Sequence, residues 1–130
     1  MNRRFPHNIM AKGRAKPRES SIVAACLQLL KLRSIFAWRN NTGVAMLPGR
    51  GGKPMPVRFG YPGSSDIFAV VKGGQFLAIE CKTPLGPRGG GAKQSDDQVE
   101  FERRVKGAGG LYLLVRSGQE LETYLDGSGV

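Results

Sequence analysis

Asp66 and, after thirteen intervening residues, Glu80-Cys81-Lys82 are the residues of this chain whose types and spacing could do chemistry. Two carboxylates are oxygen-only donors, which suit a hard divalent cation, Mg²⁺ or Mn²⁺, better than zinc. A lysine beside them adds a second positive centre. Together these groups can bind a phosphodiester, activate water and stabilise the extra charge of an in-line displacement. The backbone carbonyl of Cys81 offers a third oxygen ligand while its thiol points to the core. Lys82, two residues after Glu80, emerges on the same face of a strand as that carboxylate.

Such chemistry needs both carboxylates on one face of a sheet, and the connecting turn decides this. Residues 66–71 and 75–82 are rich in β-branched and apolar types and flank Lys72-Gly73-Gly74, which predicts a hairpin. A loop of Gly73-Gly74 alone pairs Lys72 with Gln75, sets Ile67 opposite Glu80 and sends Asp66 to the other face. A three-residue loop, Lys72-Gly73-Gly74, puts Asp66 opposite Glu80. Glycine's access to the left-handed conformation favours that loop, or a bulge with the same effect. Opposed residues have Cβ atoms about 4.5 to 5.5 Å apart, so two like charges there call for a neutralising cation.

The surrounding elements follow from periodicity and caps. Residues 1–17 carry six basic residues, His7 among them, with little apolar pattern, and are expected to form a flexible or partner-ordered arm. From Ser20 or Ser21 to about Leu32, Ile22, Cys26, Leu29 and Leu30 keep amphipathic helical spacing, with Glu19 at the helix mouth. Residues 35–39 and 44–47 are short strand-like runs split by Asn40-Asn41-Thr42-Gly43. Residues 48–65 read as a long Gly/Pro loop with Arg50, Lys53 and Arg58, and structureless loops of that length are usually functional. A second Gly/Pro loop covers 83–93. Ser95 caps a helix reaching residue 105 or 106, with Asp96 and Asp97 in its first turn. Residues 111–115 form a buried strand, and a weak helix spans 117–125, leaving 127–130 frayed. The order predicts one α/β domain over 18–126, a mixed sheet flanked by helices.

Composition narrows the class. A chain of 130 residues builds one domain with one modest core. Residues 1–65 hold 12 Lys/Arg and one acid, Glu19; residues 66–130 hold 8 Lys/Arg and nine acids. That asymmetry is the footprint of a polyanion binder, with phosphate the usual partner. No apolar run reaches the roughly 18 residues of a membrane span, and the basic start lacks the apolar stretch of a secretory signal, so a cytoplasmic protein is expected. Cys26 and Cys81 lie 55 positions apart and His7 is the single histidine. This argues against a zinc module, a disulfide scaffold and a histidine base. Gly49-Arg50-Gly51-Gly52-Lys53 lacks the GxxxxGK[ST] spacing of a nucleotide-hydrolysing loop.

Asp66, thirteen residues, Glu80-x-Lys82 resembles the PD-(D/E)xK nuclease signature. More narrowly, the chain is similar to the stand-alone virus-type replication-repair nuclease (VRR-NUC) domain, over residues 18–117. Glu19, the segment Arg39-Asn40-Asn41-Thr42-Gly43, Gly63-Ser64-Ser65-Asp66, Glu80-Cys81-Lys82 and Ser95-Asp96-Asp97-Gln98 occur in the family's order. One departure is Ser65, where the family commonly has proline before the aspartate. The resemblance implies a restriction-endonuclease-like α-β-β-β-α-β core and a Mg²⁺- or Mn²⁺-dependent DNA endonuclease. It implies that Asp66 and Glu80 ligate the metal, Glu19 completes its shell, Lys82 orients the nucleophile and Gln98 fixes water or phosphate. Small members are associated with viral genomes, where the compartment would be the host cytoplasm. They resemble homodimeric resolvases of four-way junctions, whose two-fold symmetry suits paired cuts.

Phosphate-backbone contacts are expected from Arg39, Asn41, Arg50, Lys53, Arg58, Arg88 and Lys93, and from the arm through Arg3, Arg4, Lys12, Arg14, Lys16 and Arg18. The competing readings are a non-catalytic nucleic-acid-binding protein that keeps the fold, and a small basic scaffold of a ribonucleoprotein. In either, Asp66, Glu80 and Lys82 form a surface salt-bridge ladder and Glu19 is only a favourable charge at a helix start.

Overall fold

The computed structural model describes residues 17–130. The predicted arm, apart from Pro17, lies outside the described residues, and its Arg3, Arg4, Lys12, Arg14 and Lys16 with it. In chain order the elements are α1 (Glu19–Leu32), β1 (Phe36–Arg39), β2 (Gly43–Pro48), a 3-10 turn (Arg50–Gly52) and β3 (Pro54–Phe59). Then come β4 (Ile67–Val71), β5 (Gln75–Cys81), α2 (Asp96–Gly107), β6 (Leu111–Val115) and α3 (Gly118–Ser128). Four strands form one sheet in the order β1-β4-β5-β6. The β1–β4 and β4–β5 pairs are antiparallel; β5–β6 is parallel, with α2 in the crossover. This is a small single-domain α/β protein with a mixed sheet flanked by helices.

Strand alternation divides the sheet into two faces. Ile67, Ala69 and Val71 of β4 and Leu77, Ile79 and Cys81 of β5 pack with Ile22, Val23, Cys26 and Leu30 of α1 and Leu121 and Leu125 of α3. On the opposite face, Phe68, Phe76, Ala78 and Tyr112 meet Phe101 and Val105 of α2. From Leu77 to Cys81 every residue of β5 is buried, as expected of a strand covered on both sides. Asp66 and Glu80 have even numbers on these strands, which assigns them to the α2 face. Cys26 and Cys81 are free thiols inside the core.

The hairpin turn has three residues. Val71 pairs with Gln75 and Ile67 with Ile79, so one step further Asp66 stands opposite Glu80. Gly73 and Gly74 take φ of 87° and 80°, values that residues with a Cβ avoid.

Residues 48–65 differ from the loop reading. Their first half joins β2 to make a two-stranded antiparallel ribbon outside the main sheet, from Gly43↔Phe59 to Pro48↔Pro54. Prolines normally argue against a strand, yet here they fit. Gly49 donates its N–H to the Lys53 carbonyl at 2.7 Å, which turns the odd residues of β3 toward β2. Pro54 and Pro56 therefore face the free edge, where no N–H is needed.

The helix ends also shift. α1 begins at Glu19 rather than at Ser20 or Ser21, after an extended Arg18 that makes no side-chain cap. α3 starts as expected behind Ser117, whose hydroxyl accepts the Glu120 N–H, but runs on to Ser128 and closes with Gly129 in the left-handed region. Val130, in the stretch expected to fray, packs against the core. Among the described residues no helix is long and apolar enough to cross a membrane.

Candidate metal centre

Asp66 is held where two ladders end. Its carbonyl accepts the Asn40 N–H at 2.8 Å, continuing the β1–β4 pairing, so its own backbone faces β1 and not β5. The Asp66–Glu80 pair is then a non-hydrogen-bonded one, the kind in which side chains approach most closely. Cys81, one residue on, turns its N–H toward β4 and donates to Asp66 Oδ2 at 2.8 Å. By register the backbone acceptor there would be the Ser65 carbonyl, but that oxygen takes the Asn40 side-chain amide at 2.9 Å. The same amide reaches Ser64 Oγ at 2.8 Å. Asn40 thus fixes the entry to β4 from both backbone and side chain. Sequence reasoning marked its exposed neighbour Asn41 instead. The signal that could have found Asn40 is its place one residue past Arg39, where a strand continuing in register must still meet Asp66.

Glu80 lies deeper, with 2% of its surface exposed. Its Oε2 accepts from Gln98 Nε2 at 3.0 Å and stands 3.5 Å from Lys82 Nζ. Its Oε1 is buried and has no partner among the described residues. Gln98 is anchored from the other side by a capping box: its Oε1 accepts the Ser95 N–H at 2.9 Å while Ser95 Oγ accepts the Gln98 N–H at 3.2 Å. Both ends of the Gln98 amide are therefore engaged. It orients Glu80 through one of its two amide hydrogens.

Glu19, the first residue of α1, completes the group, with carboxylate oxygens of Glu19, Asp66 and Glu80 all within 4.8 Å of one another. Burial first, then the negative charge of Asp66, push the Glu80 carboxyl up to about 7; Lys82 opposes the rise, and Glu19 adds a smaller increment. Three carboxylates against one ammonium, with Glu80 buried, are an arrangement that a cation relieves. The unpartnered Glu80 Oε1 is the buried acceptor such an ion would satisfy. Glu19, Asp66 and Glu80 could hold it, and the Cys81 carbonyl leaves its strand on the same side as the N–H that meets Asp66.

The carboxylates sit in a cleft of about 270 Å³ that Arg58 and Phe59 of the ribbon also line. Gly63 forms part of its wall with φ 80°, and a Cβ there would lie 2.3 Å from the Asp97 carbonyl oxygen; only glycine lets this segment approach α2. Among the basic candidates, Arg58 reaches the cleft. Arg50 and Lys53 sit at the far end of the ribbon, Arg39 and Asn41 are exposed outside the cleft lining, and Arg88 and Lys93 are exposed in the loop after Lys82. That loop is tied at both ends by Arg116, which sequence reasoning missed: its guanidinium donates to the carbonyls of Thr83 at 2.8 Å and Ala92 at 3.1 Å. Comparison with protein-family models, curated proteins and solved structures finds no match.

Proposed function

We propose that the protein is a divalent-metal-dependent deoxyribonuclease of the PD-(D/E)xK type, acting on branched DNA such as four-way junctions. The observation that carries this reading is the buried, unpartnered Glu80 Oε1 beside Asp66 and Glu19, with the Lys82 ammonium 3.5 Å from the same carboxylate. A surface salt-bridge ladder would leave no buried acceptor unsatisfied, and Glu80 and Lys82 are both buried. The sequence α1, β1, β4, β5, α2, β6, with the ribbon as an insertion between β1 and β4, follows the α-β-β-β-α-β order of a restriction-endonuclease-like core.

A Mg²⁺ or Mn²⁺ ion held by Asp66, Glu80 and Glu19 would supply positive charge at a scissile phosphate and acidity to a water molecule. The chain's own groups do the remaining work. The Cys81 N–H fixes one oxygen of Asp66, leaving the other free to point into the cleft. Gln98 holds the Glu80 carboxylate in a single orientation. The Lys82 ammonium, anchored by Glu80, would donate to a phosphate oxygen as charge builds on it and orient the attacking water. Arg58 at the cleft edge adds a cation for the flanking backbone.

A homodimer would present two such clefts to the two strands of a junction. The test is cleavage of labelled four-way junction, flap and linear duplex DNA with Mg²⁺, Mn²⁺ or EDTA, beside Glu80→Gln. Paired junction cuts that need both metal and Glu80 are expected. Tight junction binding without cutting under any metal would overturn the nuclease reading in favour of a binding protein.

A further inference from the structure

We propose that the β2–β3 ribbon is a finger that lies along a groove of duplex DNA, covering about five base pairs to one side of the carboxylate cleft. This rests on DNA being the partner of that cleft. The ribbon leaves the site directly: Gly43, Arg58 and Phe59 at its base line the cleft. From Gly43 to Pro48 it extends five residue steps, about 17 Å at the rise of an antiparallel strand, which matches five base-pair steps of about 3.4 Å.

Three features favour a groove as its occupant. Residues 43–59 contain Arg50, Lys53 and Arg58 and no acidic residue, which complements a polyanion and places two cations at the tip. Apolar side chains are exposed on both faces, Val44 and Met46 on one and Leu47, Met55 and Phe59 on the other. The major groove, about 12 Å wide, admits a two-stranded ribbon with one face on the base edges. The free edge of β3 is also closed to strand addition, because Pro54 and Pro56 face outward and offer no N–H.

The composition further defines how the finger reads DNA. The same seventeen residues contain no Asn, Gln, Ser or Thr, so hydrogen bonding to base edges is left to three cations. Groove shape and charge therefore carry most of the recognition, and any base selected is a guanine met by Arg50, Lys53 or Arg58.

The experiment measures binding of a 30-base-pair duplex by the full chain in EDTA, by fluorescence anisotropy from 50 to 300 mM salt, for wild type, Arg50→Ala/Lys53→Ala and Met46→Ser/Met55→Ser. All four positions are exposed, and circular dichroism checks that each variant is folded. The tip variant is expected to lower the slope of log affinity against log salt by about 2 and to weaken binding at least tenfold at the lowest salt. The methionine variant is expected to weaken binding without changing the slope. Wild-type affinity and slope in both variants would overturn the inference, as would a self-association measured by ultracentrifugation that the methionine variant abolishes while duplex binding persists. Because binding is read without metal, the two readings separate. Tip-dependent binding by a protein that never cuts removes the nuclease reading and leaves the finger; cutting that ignores the tip does the reverse.

Discussion

Replacing Glu80 by glutamine should change how stability depends on pH in a way that only a buried, cation-seeking carboxylate explains. In the folded chain this carboxyl holds its proton to about pH 7, against 4.5 ordinarily. Between those values the folded state binds more protons than the unfolded one, so stability falls as pH rises, by about 1.4 kcal/mol per pH unit. The loss begins above pH 4.5, is complete near pH 7 and amounts to about 3 kcal/mol. Glutamine keeps an oxygen to accept the Gln98 amide but does not titrate. Urea unfolding of both proteins in EDTA from pH 4 to 8.5 therefore gives a difference that shifts by about 3 kcal/mol in favour of Glu80→Gln across this window, whatever the offset at low pH. Saturating Mn²⁺ should reverse the trend for the wild type above pH 7, where an ion at 100 times its dissociation constant adds about 2.7 kcal/mol, and add far less to the variant. A stability difference that stays flat with pH, together with equal metal gains, would refute the account of Glu80.

Lys82→Met is expected to lower the cleavage rate by about 10²- to 10³-fold with junction binding largely kept, measured by single-turnover kinetics beside anisotropy. Asn40→Ala, which frees the Ser65 carbonyl and Ser64 hydroxyl, should cost about 1 to 3 kcal/mol in urea unfolding and slow cleavage by misplacing Asp66. Gly63→Ala forces a Cβ against the Asp97 backbone at positive φ and should cost at least about 2 kcal/mol; a neutral result would mean this segment is free to move. Arg116→Ala removes both ties of the loop after Lys82, so trypsin should cut at Arg88 and Lys93 faster while the melting temperature changes little.

The clustering of Glu19, Asp66 and Glu80 was more legible in the sequence than the scaffold around it. Loop length alone determines the face that Asp66 occupies, and glycines at 73 and 74 announce a loop able to adopt it. Ser95 and Ser117 declare their helices because a hydroxyl at that position has a specific N–H to accept. The ribbon was not legible because Pro and Gly report local backbone freedom and not which edge of a strand they occupy. Once Gly49 and Lys53 set the register, the same prolines become ordinary edge residues. Asn40 and Asn41 are indistinguishable by type; what separates them is where β1 meets β4, a tertiary fact. Gln98 was marked in the sequence, but its contact with Glu80 follows from the capping box that holds the other end of its amide, a tertiary fact.

The Lys72-Gly73-Gly74 turn gives this molecule an uneven tolerance to genetic change. Space around Gly73 and Gly74 is open, with no atom within 4 Å of where a Cβ would stand at either, so a substitution there incurs only the backbone penalty of positive φ. Loss or gain of one codon is a different event. It slips β4 against β5 by one residue, five residue steps from the carboxylates, and carries Asp66 to the opposite face of the sheet together with Ile67, Ala69 and Val71. In a collection of functional variants this turn should be diverse in letters and invariant in length.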